Sequence, residues 1–108
     1  MKTINEVAAA AYEDAVAHGF WRGRVEIGEV VNLVTCELAE ALQAEKKDPR
    51  GIFYEPGKTK PEGYAVELAD AIILLLGGLV HAGFDPAELL RVKMEYNRSR
   101  PKLHGRAY

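Results

Sequence analysis

Gly63-Tyr64-Ala65-Val66-Glu67-Leu68-Ala69-Asp70-Ala71-Ile72-Ile73-Leu74-Leu75-Leu76-Gly77-Gly78-Leu79-Val80-His81 is the stretch whose reading decides the fold. It is too long for a strand, and it is apolar on nearly every side. Such a helix belongs in an interior. Only two charges interrupt it, Glu67 and Asp70, three residues apart and therefore on one helical face. The uninterrupted apolar run, 71–80, is too short to cross a bilayer. With no apolar leader among the first residues, the expectation is a soluble, cytoplasmic chain without a membrane partner.

Upstream, residues 26–47 carry Val30, Leu33, Val34, Leu38, Ala41 and Leu42 at helical spacing. Lys46 and Lys47 complement the C-terminal dipole of this helix, and Asp48-Pro49 ends it. Before it lie an alanine-rich helix at 4–18, a stop at Gly19 and a short aromatic and basic connection, Phe20-Trp21-Arg22-Gly23-Arg24. The loop at 48–60 holds Pro49, Gly51, Pro56 and Gly57, and also Phe53 and Tyr54, so it reads as a functional flap. The third helix is expected to begin between Thr59 and Gly63, with Thr59 and Glu62 spaced as a capping box, and to stop at Gly83. The fourth opens on Asp85, with Pro86 in the first turn and Glu88 at the box position, and closes near Ser99 ahead of Pro101. The remaining tail, 102–108, is basic. Four helices, no convincing strand and a three-residue link between the last two helices predict one all-α, four-helix bundle-like domain over 1–108.

A net charge of −2 on 108 residues does not suit a general nucleic-acid binder, and no stable nucleic-acid partner is expected. The lone Cys36 reads as a small buried hydrophobe in a reducing compartment. A domain this small, with an all-round apolar helix, calls for a second copy to cover what remains exposed. The alternative is a 48–60 loop folded back over that surface.

The acids stand in the wrong place for solvated charges. Glu37 and Glu40 repeat the three-residue spacing on a stripe that also carries Val30, Leu33, Ala41 and Ala44. An unpaired buried carboxylate costs several kcal/mol or takes up a proton. No lysine or arginine lies between Glu29 and Ala44 or between Glu62 and Val80 to compensate. A divalent metal held by Glu37, Glu40, Glu67 and Asp70 would, and all-oxygen ligation favours magnesium, with manganese as substitute. The bland alternative is two acid pairs on solvated faces. A di-iron bundle would need Glu-x-x-His, and no histidine follows a glutamate by three; His18, His81 and His104 read as caps or surface residues.

Lys93, Asn97 and Arg100 fall at i, i+4 and i+7 and could hold phosphate oxygens, or simply form a basic face where the helix dipole favours cations. Phe20 and Trp21 could stack on a base or pack a helix end. There is no Walker A pattern and no glycine-rich dinucleotide motif after a strand.

Glu37-Leu38-Ala39-Glu40, a long spacer, then Glu67-Leu68-Ala69-Asp70 resembles the metal motif of the MazG-like nucleoside triphosphate pyrophosphohydrolases. This family is related to the dimeric dUTPases and the phosphoribosyl-ATP pyrophosphohydrolases. Lys60-Pro61-Glu62-Gly63 is similar too, as are Lys93-Met94-Glu95-Tyr96-Asn97-Arg98-Ser99-Arg100-Pro101 and His104-Gly105. The resemblance implies magnesium-dependent hydrolysis of nucleoside triphosphates, deoxynucleotides among them, between the α and β phosphates. It implies a homodimer or a dimer of dimers. In that frame Glu40 is the expected acceptor of the water's proton, Lys93, Asn97 and Arg100 would hold the outer phosphates, and Phe20 and Trp21 would meet the base. One departure stands out: many members open the first motif with two glutamates, and Cys36 occupies the first position here. Two other classes therefore stay in view: a non-catalytic metal- and nucleotide-sensing module, and a plain helical interaction domain.

Overall fold

The computed structural model describes residues 2–101, and these form an all-helical fold: α1 (Ile4–Ala17), α2 (Ile27–Lys47), α3 (Tyr64–His81) and α4 (Pro86–Ser99). The basic tail at 102–108, with His104 and Gly105, lies outside the described residues.

Each helix start has a local cause. Thr3 caps α1 in a reciprocal box: the Glu6 N–H donates to Thr3 Oγ1 at 3.1 Å, and the Thr3 N–H donates to the Glu6 carboxylate at 2.8 Å. Asp85 caps α4 by accepting from the Glu88 N–H at 3.1 Å, with Pro86 in the first turn, as its sequence implies. The start of α3 differs from expectation. Its N-cap is Gly63, at φ 119 and with no side-chain cap, so Thr59 and Glu62 form no box. Glu62 instead pairs with Phe53 across an antiparallel bridge, each backbone N–H donating to the other's carbonyl at 2.9 Å. The Ala65 N–H donates to Gly51 O at 2.9 Å, and a Cβ on Gly63 would run into that same carbonyl. The 48–63 segment is thus tied down by its own backbone at the foot of α3.

α3 is the hub. It packs on α2 and on α1, while α1 and α2 bring no Cα pair within 8 Å of each other and so leave a groove over α3. α4 touches α1 and α3 but does not bring its backbone within 8 Å of α2. Asn5 ties the starts of α1 and α4 together: its amide donates to Asp85 and accepts from the Ala87 N–H, at 2.8 and 2.9 Å.

Three expectations about burial do not hold in the single chain, the first being that of the acids: Glu40 and Asp70 are exposed, and Glu37 and Glu67 are half-buried. α3 is not enclosed: Ala71, Leu76, Gly77 and Gly78 are buried, but Leu68, Ile72, Ile73 and Leu75 stay exposed. Cys36 is exposed as well. On α2, Ile27, Val31, Leu38 and Leu42 extend the open apolar surface, and the 48–63 segment does not cover it. By length and mean hydropathy (18 residues, 1.6) α3 could cross a membrane; its two acids lie at the seam with α2.

Candidate functional site

α2 and α3 run antiparallel, and this brings Glu37 level with Glu67 and Asp70. One carboxylate oxygen from each of the three lies within 4.8 Å of the others. No basic side chain joins them: every ion pair among the described residues is elsewhere, at Arg24, Arg50, Lys58 and Arg91. Glu37 carries the strain of this arrangement. Its Oε2 is sealed from solvent without a hydrogen-bond partner. Burial, a hydrogen bond shared with Glu67, and the charges of Glu40, Asp70 and Glu67 push its carboxyl up to about 7. Near neutral pH the cluster therefore holds a proton where a cation could sit instead. Three oxygens within one coordination sphere suit a hard divalent ion.

Glu40 does not join the three. Three residues of helix rise carry it about 4.5 Å along the axis from Glu37, and it borders the next cavity together with Glu67. Two cavities flank the acids along the helix pair. The first, of about 700 Å³, fills the groove between α1 and α2. Ala11, Phe20, Leu33 and Ile73 wall it, and Glu37 and Asp70 form its floor. The second, of about 320 Å³, lies under the 48–63 segment and is walled by Glu40, Gln43, Lys47, Phe53, Glu62 and Glu67.

Phe20 and Trp21 both reach the first cavity, but on different terms. Phe20 is half exposed. The Trp21 ring is committed to packing: a Cβ on Gly77 would fall 2.9–3.1 Å from the indole, so only glycine leaves room for it. The ring also lies 5.6 Å from His81. Trp21 adopts φ 63, a left-handed conformation that a bulky residue rarely holds without surrounding support. His81 supplies part of that support. Its Nε2 lies 2.5 Å from Gly23 O, which can only accept, so Nε2 carries the hydrogen. Nδ1 meets the Tyr12 hydroxyl at 2.7 Å. His81 is thus a tie between α1, α3 and the 20–24 connection, not the surface or cap residue expected. His18 is the C-cap of α1, with Nδ1 on Asp14 O at 2.7 Å.

Lys93, Asn97 and Arg100 border neither acid-lined cavity. Lys93 and Arg100 lie over the Tyr96 ring at 5.1 and 5.8 Å, and Asn97 Oδ1 is sealed without a hydrogen-bond partner. The sequence reading missed features on both sides of the acids. Gln43 and Lys47 continue the Glu40 stripe at i+3 and i+7. The Gly77-Gly78 pair, costly in a helix interior at about 1 kcal/mol each against alanine, signalled a close approach. Compared with known proteins, the chain matches no family model, no curated protein and no solved structure.

Proposed function

We propose that this protein hydrolyses nucleoside triphosphates, deoxynucleotides among them, between the α and β phosphates, with magnesium held by Glu37, Glu67 and Asp70 and with Glu40 beside it. The observation that carries the reading is the convergence of three uncompensated carboxylates, one with a sealed, unpartnered oxygen, between an apolar cavity with an aromatic wall and a polar one. The motif resemblance names the reaction; the geometry supports it with the right donor set and with space on both sides. Magnesium, when bound, would polarise the phosphate and acidify water. Glu40, close to the cluster but outside it, is free to accept the proton of an attacking water. Phe20 offers its exposed ring to a base in the larger cavity.

The same reading includes a second copy. Ile27, Val31, Leu38 and Leu42 on α2, and Leu68, Ile72 and Leu75 on α3, form two exposed stripes side by side. A two-fold mate laying the same stripes on these would close a four-helix core. Since Lys93, Asn97 and Arg100 border neither acid-lined cavity of their own chain, they would serve the triphosphate held by the other. We place the protein in the cytoplasm, where nucleotides and magnesium are found.

Incubation with a panel of nucleotides tests the activity. Monophosphate and pyrophosphate in equal amounts, only with a divalent cation, are expected; nucleotide left intact throughout would refute it. The exposed Cys36 beside Glu37 favours one other reading, a magnesium-dependent sensor that binds nucleotide without turnover. Saturable binding without product would select it.

A further inference from the structure

The two cavities are not equivalent, and their difference assigns a direction to the substrate. Resting on the nucleotide reading above, we infer that the nucleoside end lies in the α1-side cavity and the diphosphate end runs under the 48–63 segment, where Lys47 and Gln43 receive it.

The order of residues along the helix pair supports this. On the α1 side of the acids come Leu33, Ile73 and Leu74 with Phe20, a mainly apolar enclosure suited to a ring, whose further polar lining is Lys2, Asp14 and His18. On the other side come Glu40 and Glu67, then Gln43, then Lys47. Side chains on a helix lean toward its N-terminus, so Lys47 leans from the last turn of α2 back toward Gln43 and Glu40. Lys47 makes no ion pair among the described residues, although carboxylates surround it. Arg50 and Lys58, on the segment that covers this cavity, are already engaged. Arg50 binds Asp48 at 2.7 Å and covers the Phe53 ring, and Lys58 pairs with Glu55 at 3.2 Å. Their pairing also neutralises Asp48 and Glu55, two of the acids on the cavity wall. The ammonium left uncommitted on this wall is Lys47, with the Gln43 amide one turn away as a second donor. Glu67 would face the same phosphates through the metal.

The test is calorimetric binding of two product probes in magnesium, pyrophosphate and a deoxynucleoside monophosphate, to the wild-type chain, Lys47→Ala and Lys47→Arg. Pyrophosphate affinity should fall about tenfold in Lys47→Ala and largely return in Lys47→Arg, as expected for loss of one charge-assisted contact. Monophosphate affinity should stay within about twofold across the set. A helix-capping role for Lys47 would lower the melting temperature without separating the two probes. Unchanged pyrophosphate affinity in Lys47→Ala, an equal loss for both probes, or no pyrophosphate binding by the wild type each overturn the assignment. The two readings fail separately. A wild type that hydrolyses nucleotide while Lys47→Ala binds pyrophosphate normally refutes only the subsite. Lys47-dependent pyrophosphate binding without hydrolysis refutes only the reaction.

Discussion

The two ends of α3 hold their polar groups in opposite ways. Near its C-terminus, His81 has both ring nitrogens engaged, on Tyr12 and on Gly23, and the Trp21 ring fills the space that Gly77 and Gly78 leave open. Near its N-terminus, Glu67 and Asp70 face Glu37 with no ion pair to a basic side chain among the described residues, and an oxygen of Glu37 is sealed without a hydrogen-bond partner. A satisfied network rigidifies a fold. An unsatisfied one leaves repulsion that a proton or a bound cation can relieve. On the proposed reading the contrast separates structural from functional residues on a single helix: changes at the C-terminal end should cost stability first, and changes at the acid end should cost activity first.

The largest expected effect is at the acid end. Alanine at Glu37, Glu67 or Asp70 should lower magnesium-dependent hydrolysis by at least about a thousandfold, roughly 4 kcal/mol of barrier. The metal-free protein should melt no earlier than wild type, because each change relieves repulsion. Steady-state kinetics beside a thermal melt checks both halves; near-normal turnover in any one variant would remove that residue from the ligand set.

The C-terminal end should show the reverse. Trp21→Ala vacates the space beside Gly77 and should cost about 3 kcal/mol in chemical denaturation. Gly77→Val forces the indole out and should cost a similar amount. A Trp21→Ala variant as stable as wild type would show that the ring is not an anchor.

pH should separate the ends further. The Glu37 carboxyl rises in the folded chain from 4.5 to about 7, so the folded state binds more protons than the unfolded state between those values. The Glu37 contribution to the stability of the metal-free protein is therefore fully present below about pH 4.5 and is lost as pH rises through 7, by on the order of 2 kcal/mol. The carboxyls held low by hydrogen bonds, Glu6, Asp48, Asp85 and Glu88, change stability only below that window. Melting curves from pH 5 to 8 should slope downward in wild type and run nearly flat in Glu37→Gln. Magnesium should restore the loss at pH 8 and do little at pH 5. The smallest effect is Tyr12→Phe, which leaves His81 Nδ1 without its partner and should cost about 1 kcal/mol without altering hydrolysis.

Much of this contrast was legible from residue spacing, in unequal parts. Asp85-Pro86 fixes the start of α4 because capping chemistry is local. Glu37, Glu67 and Asp70 are identifiable because acids inside apolar sequence need a reason wherever the helices sit. That Glu40 falls outside the cluster is not readable from one helix: i+3 spacing shares a face, but the level of the antiparallel neighbour decides which acid meets which. Gly63 in place of Thr59 as the α3 cap depends on Gly51, a contact made by the folded loop. The left-handed Trp21 depends on tertiary packing that no local propensity encodes. The open faces of α2 and α3 were predicted as buried because periodicity identifies an apolar face without saying whether the same chain or another copy covers it. Light scattering of the active protein addresses that point: a mass near 12 kDa, that of the 11.9 kDa chain alone, would contradict the second copy.

Magnesium titration of the nucleotide-free protein by calorimetry, at pH 7 in buffers of different ionisation enthalpy, addresses the acid cluster itself. Saturable binding should release part of a proton, because the cation displaces the one that Glu37 holds, and binding should vanish in Glu67→Ala. No saturable binding by the wild type at millimolar magnesium, or binding unchanged in Glu67→Ala, would contradict the assignment of these carboxylates as a metal centre.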